Sequence, residues 1–190
     1  MAGEAKQKNR SGRRAHLNSF VLNAEGDYGY QGISYAFEGQ GKSRKRFFAE
    51  LWILGFLAAA ATILAGCIPA PGMDDCFYVL LPYLGEVAAV GSLIWALIRL
   101  TAGGDPLRAY VFEATVEKIP RRAVTSMVFA GIGAVGCILF LIFQEFQGPI
   151  WGKVLFFALK LLVVVTMAMI KCRVLCAGWR KQTHWPETQG

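Results

Sequence analysis

Residues 76–100 read CFYVLLPYLGEVAAVGSLIWALIRL, with Glu86 and Arg99 the only charged residues among them. The hydrocarbon core of a bilayer is about 30 Å thick, and a helix crosses it with roughly 20 apolar residues. This stretch is long enough. Backbone polar groups find no water in lipid, so a spanning segment satisfies them internally as a helix. Three further runs meet the same test: FFAELWILGFLAAAATILAGC at 47–67, AVTSMVFAGIGAVGCILFLIF at 123–143 and WGKVLFFALKLLVVVTMAMIKC at 151–172. The expected fold is all-α, a polytopic four-transmembrane-helix bundle.

The rest of the chain divides around these runs. Of its 190 residues, 17% are charged, against about a quarter in an ordinary soluble domain. Residues 1–46 form a basic polar tail, 47–172 the membrane domain and 173–190 a C-terminal tail. Eighteen of the twenty lysines and arginines lie in the N-terminal tail, in or beside the connection between the second and third runs (Arg99 at the end of the second among them), or at the C-terminal end. Lys153 lies at the start of the fourth run, beside the short turn that precedes it, and Lys160 lies deep inside that run. The segment IPAPGMDD after the first run has no basic residue. The positive-inside rule then places both termini and the middle connection in the cytoplasm of a cell (plasma or inner) membrane. Topology and the lipid bilayer's anionic headgroups account for the net charge of +7, so no nucleic-acid partner is expected.

No cleavable secretory leader is expected, because a long polar stretch precedes the first apolar run. Leu64-Ala65-Gly66-Cys67 has the look of a lipoprotein cleavage box. Glu50 inside the supposed apolar region and the three helices that follow favour a membrane helix ending in small residues.

Chemistry is sparsely signalled. The histidines, His16 and His184, lie in the tails, and no HExxH, GxSxG or phosphate-binding loop occurs. No enzyme, metal or cofactor is expected. Cys67 and Cys76 flank the segment assigned outside, where an oxidising compartment would permit a disulfide; two unpaired thiols are the plainer alternative. Cys137 reads as packing. Cys172, Cys176 and His184 have no strong zinc spacing and lack a fourth ligand.

Two ionisable residues lie deep in the apolar runs. A charge there costs about 2.5–3.5 kcal/mol on insertion scales, and such residues by default mark function. Glu86 and Lys160 sit at matched depth, about 14–15 Å below the outer boundary at 1.5 Å per residue. The expectation is that the second and fourth runs are neighbours and that Glu86 pairs with Lys160, either as a structural lock or in an ion or substrate path. Pro82, one turn before Glu86, should free the carbonyl of Tyr78, and Tyr83 adds a hydroxyl. Glu50 should pair with Arg46 at i,i+4.

Small residues mark close helix approaches in membranes, and they occur in the first three runs: Ala58, Thr62 and Gly66, with Ala61 and Ala65; Gly85 and Ala89, with Ala88 and Ser92; Ala130 and Ala134, with Gly131, Gly133 and Gly136 alongside. The bulkier fourth run is expected to turn a face to lipid or to another subunit. A shift of 74 residues lays Glu86 on Lys160, which suggests two related hairpins of similar packing.

On the cytoplasmic side, Asp105 as N-cap and Pro106 as first residue predict a surface helix over 106–119, stopped by Pro120. Alternation in FVLNAEGDYGYQGISYAFE predicts a small β-hairpin or meander at 20–38. Trp179 and Trp185 suit an interfacial belt. Three functions are weighed: a non-enzymatic assembly or accessory module, as a homo-oligomer or with a membrane-protein partner; a small transporter or channel using Glu86, Lys160 and Tyr83; and a membrane enzyme acting on lipid, for which no motif speaks.

Overall fold

The computed structural model describes residues 20–22, 28–30, 33–39, 43–68, 76–143 and 150–183. Four long helices dominate: α1 (Arg44–Cys67), α2 (Phe77–Thr101), α4 (Ile119–Phe143) and α5 (Ile150–Leu175). All four are long and apolar enough to cross a membrane. Ser43 caps α1 by accepting from the Arg46 backbone N–H. Arg99 and Arg173 occupy the last turns of α2 and α5, where a cation complements the helix dipole.

The helices form a ring in which α2 packs most heavily on α4, α1 on α5, and α4 on α5, with a thinner α1–α2 contact. This corrects one expectation. The helices that carry Glu86 and Lys160 stand on the diagonal, and their long side chains meet across the bundle centre. The two hairpins also pack unequally, loosely between α1 and α2 and closely between α4 and α5, so the expected likeness of their packing does not hold.

Buried positions follow the small-residue pattern in part; Gly66, Ala88 and Gly131 are exposed. Ala58, Ala65, Ala123 and Ala130 are fully enclosed, while α5 fills the centre with Phe156, Val163, Met167 and Ile170. The outer surface is apolar as well. Ile53, Phe56, Trp95, Ile142 and Leu161 are each more than 60% exposed. A water-soluble monomer rarely carries so large a contiguous apolar surface, whereas lipid imposes no penalty on it.

One end of the bundle bears a three-stranded antiparallel sheet in the order β4-β3-β5. β3 (Ile33–Phe37) precedes α1, β4 (Leu107–Arg108) follows α2, and β5 (Trp179–Thr183) follows α5. The N-terminal, middle and C-terminal segments therefore meet on one side of the bundle. A separate two-stranded hairpin joins β1 (Phe20–Leu22) to β2 (Tyr28–Tyr30). The expected meander at 20–38 thus divides: β1 and β2 pair together, and β3 joins distant strands. The residues after 172 are not a simple tail, because α5 continues to Leu175 and β5 completes the sheet.

The expected helix over 106–119 is also corrected. Asp105 does not cap it, because it pairs with Arg44 at 3.1 Å. Arg44 also donates to the Gly104 carbonyl, and Gly104 reverses the chain at φ 73, a value that glycine adopts freely. Leu107 is drawn fully into the core as β4 pairs with β3. Only Ala109–Ala114 remains helical, as α3. Pro120 does not stop a helix; it lies in the first turn of α4, where its missing N–H is of no consequence.

Aromatic rings bind the sheet to the bundle. Tyr35 stacks on Phe112 at 4.0 Å, and Trp179 sits edge-on to Phe37 and Phe112 at 5.3 and 5.4 Å. Trp179 therefore belongs to the cap's interior instead of an interfacial belt, and Trp185 lies outside the described residues. Tyr35→Ala should loosen this cap by about 1–3 kcal/mol. Limited trypsin digestion should then cut at Arg108 and Arg180 earlier than in the wild type, with helix content by circular dichroism unchanged.

Candidate functional site

Three helices deliver polar groups to one buried point. Lys160 Nζ on α5 lies 2.6 Å from Glu86 Oε2 on α2, with side chains 4% and 0% exposed. Thr62 on α1 donates its hydroxyl to Glu86 Oε1 at 3.2 Å. Tyr83, one turn from Glu86, donates to the Thr62 carbonyl at 3.3 Å. Two rings flank the ammonium, with centroids 4.9 Å away for Tyr83 and 5.2 Å for Phe156, within the range of cation–π attraction.

Local sequence explains the convergence. Thr62 lies one turn from both Ala58 and Gly66 on α1, so its hydroxyl points to the bundle interior. Tyr83 of α2 fills the space over Gly66 of α1, where an added Cβ would meet the phenol oxygen. Pro82 is buried with Gly133 of α4 opposite. The Tyr78 carbonyl, which Pro82 leaves without its usual helical donor, faces Gly136.

Such a pair is not free stabilisation. Desolvating two charges offsets much of their attraction, and it holds only where further hydrogen bonds satisfy the remaining lone pairs. Thr62 supplies one such bond, and the two rings supply the ammonium with electrostatic partners. The arrangement can fix helix register, or it can hold a proton or ion; both follow from the same atoms.

The hydroxyl of Thr62 and the ring of Phe156 were not distinguished as site groups from the sequence. Thr62 was readable only as one small residue among alanines, though it is the lone hydroxyl in the apolar stretch of its helix. Glu50 is held by two arginines, Arg46 at 3.7 Å as expected from i,i+4 spacing and Arg173 at 3.6 Å from the far end of α5. Cys67 and Cys76 are both free thiols, the first exposed and the second half-buried, and residues 69–75 between them lie outside the described residues. Cys137 is buried, while Cys172 and Cys176 are exposed. His184 lies outside the described residues, and no group of three potential metal ligands occurs among those described.

No protein-family model, curated protein or solved structure gives a significant match to the chain.

Proposed function

We propose that the chain is a multi-pass membrane protein of non-enzymatic character, an assembly or accessory module that presents its three-stranded cap on the cytoplasmic side. The carrying observation is the Glu86/Lys160 pair. It is almost wholly enclosed, bonded to a third helix and set across the diagonal of the ring, as a lock for four helices would be. The belt of exposed apolar side chains supports membrane residence, and the basic residues gathered at the sheet end support a cytoplasmic cap.

A second reading has its own observation. A hollow of about 240 Å³ opens on the α4–α5 seam beside Lys160, lined by Ala130, Gly131, Ala134 and Phe157 among others. A small transporter or channel would use such a space.

Two measurements test these readings. In intact cells an impermeant maleimide should label Cys67 and should reach Cys172 and Cys176 only after permeabilisation. Labelling of the latter pair from outside would overturn the orientation. In proteoliposomes the wild-type protein should pass ions and small solutes no faster than protein-free vesicles. Flux that Glu86→Gln abolishes while the protein stays folded would transfer the assignment to transport.

A further inference from the structure

The α4–α5 seam carries a second, larger groove at its sheet end, of about 610 Å³. Its walls are apolar, with Val116 and Val174 buried and Leu175 63% exposed. Lys118, Arg121 and Glu117 line the groove as exposed charges. Neither cation forms an ion pair among the described residues. The groove therefore combines an apolar bed with a surplus of one positive charge.

The two hollows are in register. On α4, Gly131 and Ala134 lie 11 and 14 residues beyond Pro120, which lines the groove; on α5, Val164 and Leu161 lie 11 and 14 residues before Leu175. Steps of 11 and 14 residues return nearly to the same helical face, and at 1.5 Å per residue they span about 16–21 Å. One leaflet of a bilayer is half of about 30 Å. The charged groove and the apolar hollow are thus separated by close to one leaflet's depth on a single seam.

We propose that one anionic phospholipid of the sheet-side leaflet occupies this seam. Its phosphate lies against Lys118 and Arg121, and an acyl chain lies along the outer face of the α4–α5 seam to the hollow beside Lys160. A phosphodiester carries one negative charge and matches the surplus. Glu117 is placed to accept from a headgroup hydroxyl or amine. The proposal rests on the membrane reading above.

The test uses the full chain in nanodiscs containing phosphatidylglycerol and phosphatidylcholine in equal amounts, followed by native mass spectrometry of the lipid retained after transfer to detergent. The wild-type protein should keep one phosphatidylglycerol in preference to phosphatidylcholine, and long chains in preference to short ones. Lys118→Gln with Arg121→Gln should reduce phosphatidylglycerol retention by about thirty-fold. Gly131→Leu, placed where an added Cβ meets nothing within 4 Å, should abolish the chain-length preference while the headgroup preference stays. Equal retention of the two lipids by the wild-type protein would overturn the proposal, as would unchanged retention in the double variant. Failure of the protein to enter nanodiscs at all would instead overturn the membrane reading, and the lipid site with it.

Discussion

Lys160→Met should destabilise the bundle by about 3–5 kcal/mol, because removing one partner of a buried ion pair strands the other charge. Glu86 is 0% exposed and would keep only the Thr62 hydroxyl. Methionine approximates the lysine stem, so the packing against Phe156 and Tyr83 survives and the loss is chiefly electrostatic. Glu86→Gln alone should cost less: the amide oxygen still accepts from Lys160, and the two rings still face the ammonium. Combining the substitutions leaves no buried charge, so Glu86→Gln on the Lys160→Met background should return most of the lost stability. The measurement is a double-mutant cycle of denaturant unfolding in mixed micelles. Groups in direct contact show coupling of about 0.5–3 kcal/mol, and a cycle whose single losses simply add would remove the lock from the explanation of the fold.

The matched depths of Glu86 and Lys160 could be read from the sequence because depth in a membrane is a one-dimensional quantity, counted along a helix at a fixed rise. Their diagonal placement could not. Lateral order depends on which small faces meet, and Ala130, Gly133 and Gly136 fit α2 no better on paper than they fit α1. The four helices were readable for the same reason as the depths, since length and apolarity suffice. The cap was only half readable. β3 shows alternation, but β5 is Trp-Arg-Lys-Gln-Thr, and β4 is two residues long. Both are strands only because β3 pairs with them, and that pairing joins segments far apart in the chain. Asp105 and Pro106 carried an ordinary helix-start signal that Arg44, from another helix, overrode by taking the carboxylate.

The same substitution at two glycines of α4 should destabilise at one and not at the other. At Gly136 an added Cβ would lie 2.8 Å from the Tyr78 carbonyl oxygen. That atom is main chain, so no rotamer change relieves the overlap, and α2 and α4 must separate. The approach is close there because Pro82 leaves this carbonyl free of its helical donor, and the glycine hydrogens let α4 cover it. Separation would also disturb Pro82 against Gly133 and, one turn on, Glu86. Gly136→Ala should therefore cost about 1–3 kcal/mol, the usual penalty of overpacking a tight contact. At Gly131 an added Cβ meets nothing within 4 Å, and alanine is favoured over glycine inside a helix by about 0.5–1 kcal/mol. Gly131→Ala should leave stability unchanged or raise it by that amount. Both variants are measured by unfolding in the same micelles. Equal effects at the two positions would mean that intrinsic helix propensity, and not the meeting of α2 and α4 at the freed carbonyl, governs this helix.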